Sequence, residues 1–121
     1  MQLAALLTYS DPERSYQLLE DATQLDPHNI DAHLQFGAIA DRFGKPDQAI
    51  AAHTKALKLA EAASNNQAKS AALDNLGNAY NSLGEYQKAI KHYQQALAIF
   101  AEIGSPHAAR VRDNLKKLSP K

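Results

Sequence analysis

The sequence contains no cysteine and no excess of charge of either sign. Without cysteine the chain has no disulfide, no thiolate nucleophile and no cysteine-ligated zinc site, which fits a reducing compartment. Thirteen Lys and Arg residues balance thirteen Asp and Glu residues, so the formal net charge is 0. No global field therefore attracts the chain to nucleic acid or to an anionic membrane. We expect a cytoplasmic protein.

Long apolar runs are also missing. The N-terminal run at 3–7 is too short to span a bilayer, and no basic residue precedes it as a signal peptide requires. Elsewhere Gln, Lys and Asp interrupt the apolar stretches, so we expect no membrane insertion. A chain of 121 residues is long enough for a single domain with its own core.

The sequence contains an internal repeat with a period of 40 residues. Phe36-Gly37 corresponds to Leu76-Gly77. The further pairs are Gly44 and Gly84, Ala49-Ile50 and Ala89-Ile90, Ala56-Leu57 and Ala96-Leu97, and Leu59 and Ile99. A fixed period in this range is typical of stacked-repeat proteins, in which each unit buries its apolar face against its neighbours.

Glycine and proline divide the chain into segments with helical spacing. Proline just inside a helix start and glycine just past a helix end are typical of helix boundaries. Between these marks apolar residues recur every three to four positions, and no segment alternates as a strand would. We predict an all-α chain with helices near 2–9, 12–25, 30–43, 46–63, 66–83, 86–103 and 106–118.

The predicted connections between helices are only a few residues long. Short turns force sequential helices to pack antiparallel, so the chain should form a string of helical hairpins. Asn29 and Ser105 stand where helix N-caps are needed, and Asn65 or Asn66 can cap the helix at 66–83.

The second copy has a recognisable pattern. It reads Leu73-x2-Leu76-Gly77-x2-Tyr80, then Gly84-x-Tyr86, Ala89, Tyr93 and Ala96. This resembles the tetratricopeptide repeat, and the first copy matches in the same register, with His33 and His53 where the family usually has aromatic residues. The spacing exceeds the usual period of about 34 residues. The 40-residue units resemble the lengthened repeats of kinesin light chains and of G-protein and polarity adaptor scaffolds.

The resemblance implies a right-handed superhelical solenoid of about seven antiparallel helices. The expected single domain, 1–121, would comprise a partial or divergent repeat at 1–29, repeats at 30–63 and 66–103, and a capping helix at 106–118. Gly37 and Gly77 are expected where the two helices of a pair approach closely, because small residues allow such contacts.

In this family the first helix of each pair lines a concave groove that holds an extended peptide or a helix of another protein. The resemblance places ten residues there: Asp31, Leu34, Ala38, Asp41, Arg42, Asp74, Asn75, Asn78, Asn81 and Arg110. Asn78 is the central candidate, because a carboxamide offers both a donor and an acceptor to a peptide backbone. Three aspartates argue against a clamp for a carboxylate and favour a basic or neutral peptide. The alternative is that these residues are ordinary solvated helix positions.

The residues also bear on other classes of function. Five histidines occur, but none form an i,i+4 pair or an H-E-x-x-H motif, so we expect His33 and His53 to pack and predict no metal or cofactor site. No nucleophile elbow or phosphate-binding glycine loop is present, and we do not expect an enzyme. Basic residues near the C-terminus lack interleaved aromatics, which favours a charged cap over nucleic-acid binding. The remaining alternative is self-association into a homodimer through the open repeat ends.

Overall fold

The computed structural model describes residues 12–118, and this part of the chain is all-helical. Its six helices are α1 (Pro12–Leu25), α2 (Ile30–Arg42), α3 (Pro46–Ala62), α4 (Asn66–Ser82), α5 (Tyr86–Glu102) and α6 (His107–Leu118). All six agree with the predicted boundaries to within one residue. The helix predicted at 2–9 lies outside the described residues.

The helices form successive antiparallel hairpins. Each helix packs against the next along the chain, and α2 also contacts α4. The first helices of the two hairpins, α2–α3 and α4–α5, therefore lie side by side in one layer. An ion pair between Arg110 and Asp74 places α6 beside α4 in the same layer. We call α2, α4 and α6 the inner helices.

Side-chain caps fix where the inner helices begin. Asn29 Oδ1 accepts a hydrogen bond from the Ala32 N–H at 3.0 Å, and Asn65 Oδ1 accepts one from the Ala68 N–H at 3.0 Å. Such caps satisfy backbone donors that have no partner within the helix. Asn65, rather than Asn66, is therefore the cap of α4.

The turns that end α2, α3, α4 and α5 share one backbone design. Each has a residue with positive φ, namely Gly44, Ser64, Gly84 and Gly104. The N–H of the following residue then donates to a carbonyl five positions earlier, at 2.8–2.9 Å, in the pairs Lys45–Ala40, Asn65–Ala60, Glu85–Tyr80 and Ser105–Phe100. This is the Schellman arrangement, which terminates helices in a left-handed residue. It recurs every twenty residues, so one helix and its turn are half of the 40-residue repeat.

The two glycines predicted at close helix contacts do lie there. A Cβ atom on Gly77 would lie 2.6 Å from two ring carbons of Tyr93, and one on Gly37 would lie 2.6 Å from His53 Nε2. Real Cβ atoms essentially never approach other atoms this closely. The rings of α3 and α5 therefore pack directly on the backbone of α2 and α4.

Small and aromatic residues make up the core around these contacts. The alanines at the repeated positions are fully buried: Ala49, Ala56, Ala89 and Ala96. At the C-terminal end Ala108 and Val111 of α6 join the cluster that contains Tyr93 and Phe100. At the other end Tyr16 of α1 packs against the Phe36 and Phe43 rings. The helix α6 therefore buries its apolar side on α5, and its role as a cap stays a prediction.

Ser64 and Gly84 occupy equivalent positions in two turns. Replacing Ser64 by glycine should stabilise the chain, and replacing Gly84 by serine should destabilise it. Ser64 has φ 53°, a left-handed conformation that strains a residue with a Cβ. Ser64→Gly should therefore raise the free energy of unfolding by about 0.5–1 kcal/mol, after allowing for the greater freedom of glycine in the unfolded chain.

Gly84→Ser is the matched control, because a Cβ at Gly84 would meet no atom within 4 Å and only the backbone strain would change. It should lower the free energy of unfolding by a similar amount. Urea denaturation of both variants measures the effect. Equal stability of all three chains would contradict the role given to the left-handed residue.

Candidate functional site

The hydroxyl of Tyr93, a residue of α5 that is only 1% exposed, bonds to the inner face of α4. It donates a hydrogen bond to Oδ1 of Asn78. Burial is the main factor that raises the pKa of Tyr93 to about 12. The negative charges of Asp74 and Asp41 raise that pKa further, and the guanidinium of Arg110 opposes them.

A buried ion pair joins α4 to α6. Asp74 is 5% exposed, and Arg110 donates to its two oxygens from Nη2 at 2.6 Å and from Nη1 at 3.4 Å. Hydrogen bonding to Asp74 raises the pKa of Arg110 above its already high ordinary value. Two-point contact with a buried carboxylate fixes the guanidinium, while about half of the Arg110 side chain stays exposed. The negative charge of Asp74 is therefore neutralised within the fold.

A cavity of about 480 Å³ opens beside this ion pair, between α4, α6 and the end of α5. Phe100 of α5 and Ile103, which follows the end of that helix, provide apolar surface, and Ala71 of α4 contributes a small side chain. The polar lining comes from Gln67, Asp74, Asn75, Ser105, His107 and Arg110. The lining is thus mixed, with polar side chains beside a small apolar surface.

Asp41 of α2 presents a different situation from Asp74. Its Oδ1 atom is buried and has no hydrogen-bond partner among the described residues. Desolvation raises the pKa of Asp41 above the ordinary aspartate value. The carboxylate therefore lies among the inner helices without the compensation that Asp74 receives from Arg110.

The two repeats differ at the very positions that make this site. Gly37, Ala38 and His53 occupy the places that Gly77, Asn78 and Tyr93 occupy 40 residues later. His53 is 1% exposed and its Nδ1 has no hydrogen-bond partner among the described residues. Burial lowers the pKa of His53 to about 4.

The ten sequence-predicted site residues therefore separate into groups. Asp74, Asn75 and Arg110 line one cavity, and Asn78 bonds to the phenol beside it. Leu34 and Asp41 are half-buried on α2, whereas Asp31, Ala38, Arg42 and Asn81 are exposed. Asp31 lies ten residues before Asp41 on one helix, about 15 Å along its axis, so the two carboxylates do not act at one point.

Asn78 and Asp74 have partners within the chain that the sequence did not predict. Asn78 Oδ1 accepts a hydrogen bond from the Tyr93 hydroxyl, and Asp74 pairs with Arg110. The inner face is consequently less acidic than three aspartates suggested, because one of the three charges is paired. The role of Asn78 and Asp74 in binding a ligand stays a prediction.

Comparisons with known proteins identify the architecture. The tetratricopeptide repeat profile matches this chain over residues 29–102 and again over 68–118. The chain belongs to the tetratricopeptide repeat family. Its structure aligns with the N-terminal domain of stress-induced protein-1 (STI-1) from C. elegans at a TM-score of 0.77, with 20% identity, over 95% of this chain and 87% of that one. At this identity the likeness establishes the fold.

A curated relative shares the sequence pattern as well. Outer dynein arm-docking complex subunit 4 from Xenopus laevis is 29% identical over 110 residues, which are 81% of this chain and 21% of that protein. This chain therefore spans about a fifth of the relative's length.

Within this tetratricopeptide solenoid, sequence reasoning missed the contribution of the second helices to the site. Tyr93 and Phe100 belong to α5 and Ile103 follows its last residue, and the family pattern treats their positions as packing residues. A signal was present in the sequence: Asn78 is an amide where the first repeat has Ala38, and Tyr93 carries a hydroxyl where the first repeat has His53.

Within residues 12–118 no three His, Asp or Glu side chains come together in a way that could hold a metal ion. The histidines predicted to pack do so, with His33 and His53 buried. None of the helices between residues 12 and 118 has the length and apolar character that a membrane crossing needs.

The buried His53 should make stability depend on pH. Its folded-state pKa of about 4 lies below the ordinary value near 6.5, so protonation favours the unfolded chain. The stabilising contribution is complete above pH of about 6.5 and is lost as the pH falls toward 4. Lowering the pH from about 7.5 to about 5 should therefore lower the free energy of unfolding by about 2 kcal/mol.

His53→Phe is the matched variant, since the equivalent position of the second repeat holds the aromatic Tyr93. Its unfolding free energy, from urea titrations at the two pH values, should fall by about 2 kcal/mol less than that of the native chain. Parallel losses in both chains would show that another group is responsible.

Proposed function

We propose that the groove formed by α2, α4 and α6 binds a segment of another protein, as an extended peptide or a helix, and that the chain acts as a non-enzymatic interaction module. The observation that carries the proposal is the cavity of about 480 Å³ between α4 and α6. Its Phe100 and Ile103 surface can take an apolar side chain of the segment, because burial of such a group provides most of the binding free energy.

The amides of α4 supply the polar part of the proposed contact. The bond from Tyr93 occupies Oδ1 of Asn78, so its Nδ2 group remains available to donate to a backbone carbonyl. Asn75 lines the cavity one turn earlier, and Asn81 is exposed one turn later. Three amides at this spacing follow one face of α4, which suits a segment that lies along the helix.

The relative named above supports an assembly role. That protein is described as a subunit of a docking complex, and it shares this stretch of repeats with the present chain. We extend only the general role, the binding of another protein, to this chain. The adaptor role, the cytoplasmic location and the division into repeats at 30–63 and 66–103 stay predictions.

Blocking the cavity should abolish binding without unfolding the chain. Peptides selected from a random phage-displayed library on the native chain provide the ligands. Ala71→Arg places a long side chain over the cavity and should weaken their binding at least about tenfold, which is about 1.4 kcal/mol. The control is Ala98→Arg, the same change at an exposed position of α5.

Fluorescence anisotropy measures affinity, and thermal denaturation checks that both variants fold. Selected peptides that bind Ala71→Arg as tightly as the native chain would place their site elsewhere. A library from which no peptide is enriched would count against the interaction role as a whole.

A second candidate function is self-association, and exposed leucines on α1 favour it. Leu25 is 87% exposed and Leu18 is 45% exposed. A second copy could cover these side chains, since exposed apolar surface often marks an interface. A molar mass that stays at 13.2 kDa over a wide concentration range in light scattering would exclude this candidate.

A further inference from the structure

The charges of this chain are separated along its length. Residues 1–50 contain eight Asp and Glu residues and three Lys and Arg residues, whereas residues 51–121 contain five and ten. The same difference separates two helices of the structure. The helix α1 has three acidic residues and one basic residue, and α6 has four basic residues and one acidic residue. The described solenoid is therefore acidic at α1 and basic at α6, although the formal net charge of the chain is 0.

The helix α1 also has a side that no described helix covers. Within residues 12–118, each of α2 to α5 packs against the helix before it and the helix after it, whereas α1 has a helix only after it and α6 only before it. Leu18 and Leu25 are exposed on α1, and their spacing of seven places them on one face. The exposed Asp21 lies between them, three and four positions away. We call Leu18, Asp21 and Leu25 the α1 face, which is both apolar and acidic.

The exposed side of α6 has the complementary character. Arg112 and Lys116 are exposed and form no ion pair within residues 12–118. Leu115 packs against the cluster on α5 and stays partly exposed. We call Arg112, Leu115 and Lys116 the α6 face. Like charges four positions apart destabilise a helix slightly, so an acidic surface opposite Arg112 and Lys116 would stabilise α6.

Charge determines which faces of two copies fit together. Two α1 faces, or two α6 faces, would bring like charges into contact, which costs binding free energy. The α1 face of one copy and the α6 face of another bring opposite charges together. The exposed leucines of α1 are then covered in part by Leu115. A net charge of 0 means that no overall repulsion between copies opposes this contact.

We propose that copies of this chain associate head to tail, with the α1 face of one copy on the α6 face of the next. This inference rests on the self-association candidate above and is independent of peptide binding in the groove. It adds the two surfaces, their charge and the direction of assembly. A contact between two different surfaces produces closed rings or open chains of copies.

Light scattering of the native chain tests whether copies associate. The average molar mass should rise with concentration from 13.2 kDa toward that of two or more chains. A native chain that stays at 13.2 kDa at every concentration would overturn the inference, whether residues 1–11 or another protein covers α1. That result would leave the proposed groove intact, because peptide binding is measured separately.

Charge reversal at each helix tests the direction of assembly. One variant carries Glu20→Lys and Asp21→Lys on α1, and the other carries Arg112→Glu and Lys116→Glu on α6. In either variant alone the two helices have the same sign of charge, so the association constant should fall at least about tenfold. A mixture of the two variants again offers opposite charges, and association should return.

The control for the α6 variant is Lys55→Glu with Lys58→Glu. Both lysines are exposed on α3, and the change of net charge is the same. This control should associate as the native chain does, and thermal denaturation checks that every variant folds. A control that loses association to the same extent would assign the effect to net charge and overturn the inference.

Two further outcomes would contradict the head-to-tail contact. An α6 variant that associates alone as strongly as the native chain would indicate contact between two α1 faces. A mixture of the α1 and α6 variants that stays monomeric would show that opposite charges on these helices do not join the copies.

Discussion

The close approach of paired helices at glycine is the contact on which the rest of the structure depends. Gly77 lets the Tyr93 ring of α5 lie on the backbone of α4, and Gly37 does the same for His53 on α2. A Cβ at either position would overlap the ring, so the ring or the helix that carries it would have to shift. Because Tyr93 passes so close to α4, its hydroxyl reaches Asn78 on the inner face. The close approach at Gly77 therefore both packs the hairpin and brings the Tyr93 hydroxyl to Asn78.

The two repeats use this shared geometry differently. In the second repeat the Tyr93 hydroxyl bonds to Asn78. The Asp74–Arg110 ion pair joins α4 to α6. In the first repeat two buried side-chain atoms, Asp41 Oδ1 and His53 Nδ1, have no hydrogen-bond partner among the described residues. A satisfied polar network rigidifies a structure, so the second repeat is the better-ordered half of the pair.

The sequence predicted the backbone better than the site. Glycine, proline and asparagine mark helix ends through local conformational preferences, so both ends of all six described helices could be placed within one residue. The partnership of Asp74 and Arg110 joins residues 36 positions apart, and it depends on the packing of α6 against α5. No local pattern carries such information. Ser64 shows the same limit, because only its equivalence to three turn glycines reveals its left-handed conformation.

The most direct test of the account is a map of where a bound peptide perturbs the chain. Amide and carboxyl NMR shifts would be recorded for the native chain with and without a peptide selected on it. The account predicts that the largest changes fall on the inner helices, at Asp41, Asn75, Asn78 and Asn81, with small changes on the outer faces of α3 and α5. Changes concentrated around Leu18 and Leu25 of α1, or on α3 and α5, would contradict it.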